Sequence, residues 1–178
     1  WTIADLMSTV DYLYERKDVD PTRIGIVGGV AGGGDYTALA AALDERITLS
    51  VPFNFSHKNL VDGWYDYVRS YPGSIADGTT PWLVCAMSAP RHYIMAEEFA
   101  WSDTKTEYLD AFKKIYALYG KEDHVDSLHG WAESHATHYN YMHRIPMYTI
   151  INKWWGLKLP EKKENEKFLK LKDSHLEI

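Results

Sequence analysis

The sequence predicts an α/β fold in which a mostly parallel sheet carries helices on both faces. Short apolar segments rich in β-branched residues alternate along the chain with segments whose apolar residues have helical spacing. The helical segments are long enough to cross over a sheet and return the chain in parallel. With 178 residues, of which 46% are hydrophobic, the chain is expected to form one domain with a sizeable core.

The first half is predicted to contain a helix, a strand, a second helix and a second strand. The apolar residues of Trp1–Lys17 have helical spacing, and Pro21 shortly after this segment ends the helical pattern. Arg23–Gly28 is a short apolar run that predicts a strand buried on both faces. Tyr36–Leu43 is alanine-rich and predicts a helix, and Ile47–Phe53 predicts a second buried strand.

The second half is predicted to add two strands, which gives about four in total. Pro81–Ser88 fits either a strand or a buried helix. His92–Glu97 and His124–His129 are strand candidates, and Thr104–Tyr119 predicts the helix between them. His138–Leu157 predicts a long aromatic-rich helix.

The two ends of the chain lead to expectations about domain organisation. Pro146 marks either a kink in the last long helix or its true start. We expect residues 1–157 to form the domain and residues 158–178 to form a charged C-terminal extension, in which Glu161–Ile178 is either a solvated helix or a loose tail. Four strands are few for an α/β domain with a mostly parallel sheet, and the segment after Trp1 has the pattern expected in the middle of such a domain. We therefore expect a partial domain, whose partner is a missing N-terminal half or another chain.

Composition excludes several classes of function. A net charge of −6 argues against a nucleic-acid-binding surface. The printed sequence has no apolar run of the roughly 20 residues that span a membrane, and it does not open with the pattern of a secretory signal peptide. Cys85 is the single cysteine, so no internal disulfide can form. These observations leave the compartment open.

A strand, a glycine turn and a helix follow one another over Arg23–Gly34, which is the pattern of a nucleophile elbow without its nucleophile. The elbow motif G-x-S-x-G has serine at the centre of the turn, whereas this turn holds Val30 and Ala31. Neither side chain can attack a carbonyl carbon. A phosphate cradle is less favoured, because Asp35 would repel the anion in the first helical turn. A plain tight connection between strand and helix remains the alternative.

Four segments resemble the second half of an α/β-hydrolase, near the acetylxylan-esterase-like and glucuronoyl-esterase-like carbohydrate esterases. In the order of that family they are Asp11-Tyr12-Leu13 with Asp18–Gly25, Gly32-Gly33-Gly34 with Ala41–Ile47, Ala89-Pro90-Arg91 with Ala96–Asp103, and His138-Tyr139-Asn140 with Trp154-Trp155. Counting forward from Arg23 places Val30 at the serine position. Counting back from the Gly32-Gly33-Gly34 run places Ala31 there, and we favour Ala31 because the downstream match is longer.

The resemblance implies a triad in the chain order nucleophile, acid, histidine. Phe99 stands where the family has aspartate, so the acid is either Glu98, shifted by one residue, or Asp103. The implied base is His138, with His135 as its competitor. The alternatives are that these carboxylates, including Glu97, are ordinary loop charges and that the histidine only packs against its helix.

The resemblance also implies a class of substrate, an acylated carbohydrate or a small ester. The candidates to line its cleft are Trp64, Trp101 and Tyr139. We expect no cofactor, and His135-x-x-His138 does not by itself make a metal site, because zinc usually has further Cys or carboxylate ligands. Without serine the chain is expected to be inactive. The rival hypothesis is a non-catalytic pseudo-hydrolase that binds sugar or a protein partner.

Overall fold

A four-stranded parallel sheet forms the centre of the computed structural model, which describes residues 2–29, 32–56, 74–130 and 140–165. The strands lie in the order β1-β2-β3-β4. Their bounds are Gly25–Gly28 for β1, Leu49–Pro52 for β2, His92–Ala100 for β3 and Val125–Gly130 for β4. The predicted parallel sheet of about four strands is confirmed.

The described helices follow the predicted segments closely. Their bounds are Thr2–Glu15 for α1, Gly33–Leu43 for α2, Ser74–Asp77 for α3, Pro81–Ala86 for α4, Asp103–Ala117 for α5 and Tyr141–Trp155 for α6, with 3-10 turns at Glu122–His124 and Lys163–Asn165. The open alternative at Pro81–Ser88 is resolved as a helix, which the Thr80 hydroxyl caps by accepting a hydrogen bond from the Leu83 amide. Pro146 lies inside α6 and not at its start.

Helices cover both faces of the sheet, as predicted. On one face α2, α4 and α5 pack on the odd-numbered residues of β3, namely Tyr93 and Met95. On the other face α6 packs on Ile94 and Ala96 through Met147 and Ile151. Alternate residues of a strand point to opposite faces, so β3 is apolar on both sides and buried from Tyr93 to Glu98.

The prediction that the first strand is buried on both faces is wrong. In β1, Gly25 and Val27 are exposed and Ile26 and Gly28 are half-buried. The reason is the position of β1 at the end of the described strand order, where it pairs with β2. The α6 cluster lies over β2, β3 and β4, so Val27 keeps 36% of its surface accessible. Strand β2, with neighbours on both sides, is fully buried as predicted.

The segment after α6 packs back against that helix. The Asn152 side chain accepts a hydrogen bond from the Leu159 amide at 2.9 Å and donates one to the Leu159 carbonyl at 3.0 Å. Leu157 and Leu159 contact the α6 core cluster. The boundary at residue 157 stays a prediction, because most of the expected extension lies outside the described residues. None of the described helices combines the length and the apolar character needed to span a bilayer.

Candidate active site

The turn between β1 and α2 is built on two positions that require glycine. A β-carbon on Gly28 would overlap the Gly33 carbonyl oxygen and the Thr37 hydroxyl, so the strand can approach the helix only without a side chain there. Gly32 has φ 102°, a conformation that side chains disfavour, and it precedes the first residue of α2. The substituted nucleophile positions Val30 and Ala31 lie between these glycines and outside the described residues.

Glu98 is the candidate acid that lies against this turn. Its side chain is completely buried, and a β-carbon built on Gly29 would be 3.0 Å from its Oε1 atom. Glu98 lies near the carboxyl end of β3, and Gly29 directly follows β1. The strands are parallel, so the two meet at one edge of the sheet.

Asn54, which follows β2, holds both the side chain and the main chain of Glu98. Its Nδ2 donates to Glu98 Oε2 at 3.0 Å, and its Oδ1 accepts from the Glu98 amide at 2.9 Å. The Asn54 amide donates to the Ala96 carbonyl at 2.9 Å. Sequence reasoning missed Asn54. Its position just after a buried strand was the available signal.

His143 on α6 holds Glu98 from the other side. Its Nε2 atom lies 3.3 Å from the Glu98 carbonyl oxygen, to which it must donate. Burial lowers the pKa of His143, which favours the neutral ring. This histidine was not singled out from the sequence. Its spacing with Met147 and Ile151, four and eight residues on, indicates the inward face of the helix.

The other two candidate acids lie elsewhere. Glu97 points to the opposite face of the sheet, where its carboxylate is buried. It forms an ion pair with Lys105 Nζ at 2.7 Å and accepts a hydrogen bond from the Ser56 hydroxyl at 3.5 Å. Asp103 is exposed at the first residue of α5. Glu98 is therefore the best placed of the three carboxylates relative to the turn.

Trp101, predicted to line the substrate cleft, is half-buried and fixed in orientation. Its ring stacks on His129 at a centroid distance of 3.9 Å, and its Nε1 donates to the Thr106 hydroxyl at 2.9 Å. His129 Nε2 in turn lies 3.1 Å from the Ser127 hydroxyl. Ser127 pairs with Met95 in the sheet, on the face away from Glu98. This serine–histidine contact is therefore separate from the Glu98 carboxylate.

The remaining predicted residues fall outside the described part of the chain. These are Ala31, Trp64, His135, His138 and Tyr139. Cys85 is no substitute nucleophile, because burial raises the pKa of its thiol to about 12 and it donates to the Phe55 carbonyl at 2.8 Å. Within the described ranges no group of three or more His, Cys, Asp or Glu side chains is arranged to hold a metal ion.

A cleft of about 490 Å³ lies at the amino-terminal edge of the sheet, opposite the edge at which Glu98 lies. His92 stacks between His124, at 4.2 Å, and Trp154, at 4.7 Å, in its wall. Burial, and then the neighbouring His124, lower the pKa of His92 to about 4.

We expect His92 to make the protein less stable as the pH falls. The unfolded chain binds a proton on this histidine near pH 6.5, whereas the folded chain resists protonation down to about 4. Its contribution is therefore complete above about pH 6.5 and is lost progressively below it. The variant His92→Phe keeps an aromatic ring without a titrating group, so its melting temperature should fall less than that of the parent between about pH 7 and 4. Equal losses in the two proteins would contradict the assignment.

Comparisons with known proteins show that this chain is similar to a putative hydrolase and to esterases. No protein-family model matches the chain. The chain is 31% identical over 134 residues to the Bacillus subtilis (strain 168) protein named "Putative hydrolase YtaP", a match that covers 68% of this chain and 43% of YtaP. It is also similar to the solved structure of methylesterase BT1017, with a TM-score of 0.72 and 27% identity, over 89% of this chain and 35% of that chain. The chain thus spans less than half the length of either protein.

Two glucuronoyl esterases share the fold. The catalytic domain Cip2_GE from Hypocrea jecorina has a TM-score of 0.60 and 19% identity, over 88% of this chain and 51% of its own. A family 15 carbohydrate esterase from Caldicellulosiruptor kristjansonii has a TM-score of 0.57 and 15% identity, over 96% of this chain and 53% of its own. The four-stranded parallel sheet, the glycine turn after β1 and these similarities together identify the chain as an α/β-hydrolase-like domain that resembles carbohydrate esterases.

Proposed function

We propose that this domain has the framework of a serine esterase for acylated carbohydrates and that the chain as given does not hydrolyse esters. The observation that carries the proposal is the buried carboxylate of Glu98 against the turn after β1. A triad needs an oriented carboxylate at this edge of the sheet. Val30 and Ala31 offer no hydroxyl or thiol, so an acyl-enzyme cannot form on either residue.

The roles follow from the chemistry of acyl transfer. A serine at the centre of the turn would attack the ester carbonyl, and His138 would take its proton and then pass it to the leaving alcohol. Glu98 would accept a hydrogen bond from the imidazole and fix its tautomer, with Asp103 as the alternative acid. Trp64, Trp101 and Tyr139 are proposed to line the sugar site. No step requires a cofactor.

The two glycine positions bear on which residue has replaced the serine. In G-x-S-x-G the outer glycines stand two residues before and two after the nucleophile. Gly28 and Gly32 both require glycine and are centred on Val30. Gly29 and Gly33 are centred on Ala31, but a β-carbon on Gly33 would make only ordinary contact, at 3.5 Å. This favours Val30 over Ala31, which the sequence count had favoured.

A non-catalytic module that binds sugar or a protein partner is the second candidate. Phe99 stands at the family's aspartate position in addition to the missing serine, so two of the three expected triad positions are altered. A single engineered change does not account for both. A partner chain, or further sequence of the same protein that completes the sheet, also remains a proposal.

The return of ester hydrolysis tests the two candidates. We expect the parent to release no 4-nitrophenol from 4-nitrophenyl acetate above the buffer rate, and Val30→Ser or Ala31→Ser to gain measurable turnover. Circular dichroism of all three proteins checks that they fold alike. Turnover by the parent would contradict the claim of inactivity. Two folded serine variants without turnover would contradict the esterase framework and favour the binding module, which an array of acetylated and methylated oligosaccharides would then test.

A further inference from the structure

Asn54 has an unusual backbone for a residue with a side chain. Its φ is 55°, in the left-handed region, and it lies two residues after the end of β2. Asparagine tolerates this conformation better than most residues do. The conformation occurs where the Asn54 carboxamide meets Glu98 from the neighbouring strand.

We propose that Asn54 is a positioning residue that holds the Glu98 carboxylate against the turn after β1. The inference deepens the proposed function, since positioning matters for catalysis only if Glu98 is the triad acid.

The contacts require a carboxamide at this position. The Glu98 amide is a donor, so it needs the carboxamide oxygen, and this leaves Nδ2 to donate to the carboxylate. A fully buried carboxylate depends on such donors, because removal from water without them is costly. A side chain with only one of the two functions would satisfy either the main chain or the carboxylate of Glu98, but not both.

A hydrogen bond from His143 also holds the main chain of Glu98 in place. His143 Nε2 donates to the Glu98 carbonyl from α6, while Asn54 contacts the amide and the side chain from the β2 end. The main chain of Glu98 is thus held on both sides of its α-carbon. A carboxylate fixed in this way can orient an imidazole without reorganising during the reaction.

The variants Asn54→Asp and Asn54→Gly test the contact without requiring activity. Asn54→Gly keeps the positive φ and loses both hydrogen bonds, so its melting temperature should fall, and by more near neutral pH, where Glu98 is ionised, than at low pH. Asn54→Asp places a second carboxylate against Glu98, and the repulsion raises the pKa of the pair in the folded state. Near neutral pH, the melting temperature of Asn54→Asp should therefore lie roughly 5 °C below that of the parent. This difference should disappear below about pH 4, where the carboxyl groups are protonated in both the folded and the unfolded chain. A pH-independent deficit in Asn54→Asp would overturn the proposal.

Kinetics in the serine-restored variant then test positioning for catalysis. Adding Asn54→Gly to the more active of Val30→Ser and Ala31→Ser should lower kcat by roughly tenfold to a hundredfold and leave KM within about twofold, because a residue that acts only through Glu98 does not alter ground-state binding. A rise in KM with unchanged kcat would overturn the positioning role. If neither serine variant is active, the proposed function fails, whereas the melting experiment still decides whether Asn54 holds Glu98.

Discussion

Replacing Gly28 with alanine is expected to destabilise the domain by about 3 kcal/mol and to lower its melting temperature by roughly 6 to 12 °C. The new β-carbon would overlap the Gly33 carbonyl oxygen and the Thr37 hydroxyl at the start of α2. The Thr37 side chain can rotate away, but the Gly33 oxygen belongs to the backbone of the helix. The strand and the helix must therefore separate, which opens the core between them. Thermal melting followed by circular dichroism measures the loss.

Gly33→Ala is the matched control for this change. A β-carbon on Gly33 would meet its nearest neighbour at 3.5 Å, an ordinary contact, and the residue begins α2. Alanine favours the helix by up to about 1 kcal/mol over glycine, so this variant should melt at or slightly above the parent temperature. If Gly28→Ala melts within about 2 °C of the parent, β1 and α2 do not approach as closely as described.

The sequence was sufficient for the order and type of most elements because their signals are local. The helical spacing of α1 and α5 and the apolar runs of β2 and β3 depend on residues close in the chain. The burial of β1 was predicted wrongly because a short apolar segment does not show whether the strand that it forms has neighbours on both sides. The helix predicted over Tyr36–Leu43 begins earlier, at Gly33. Glycine has a low helix propensity, so packing against β1 and not local sequence decides this start.

The candidate site was predictable only in part, because its contacts join distant positions. Glu98 was found through the resemblance, one residue before the position of the family's aspartate, but Glu97 next to it has the same chemistry and points to the other face of the sheet. Only the pairing of β2 with β3 brings Asn54, 44 residues away in sequence, to Glu98. Similarly, α6 must pack on the sheet before His143 reaches the Glu98 carbonyl.

Serine at position 30 is expected to restore far more esterase activity than serine at position 31. Neighbouring residues direct their side chains differently, and a displacement of about 1 Å can already cost a hundredfold in rate. Since Gly28 and Gly32 are centred on Val30, we expect kcat/KM of Val30→Ser to exceed that of Ala31→Ser by at least about a hundredfold. Each variant is the control for the other, because both add one hydroxyl to the same turn. The reverse ranking would show that the turn is centred on Ala31.

The same background identifies the acid. Glu98→Gln in the Val30→Ser protein keeps the size of the side chain but removes the charge that stabilises the imidazolium, so kcat should fall by on the order of 10³-fold to 10⁴-fold. Asp103→Asn removes a charge from the exposed start of α5 and should change kcat by less than about threefold if Glu98 is the acid. A large loss in Asp103→Asn with little change in Glu98→Gln would assign the role to Asp103. Such a result would mean that the buried carboxylate beside Gly29 serves the packing of β3 and not the chemistry of the turn.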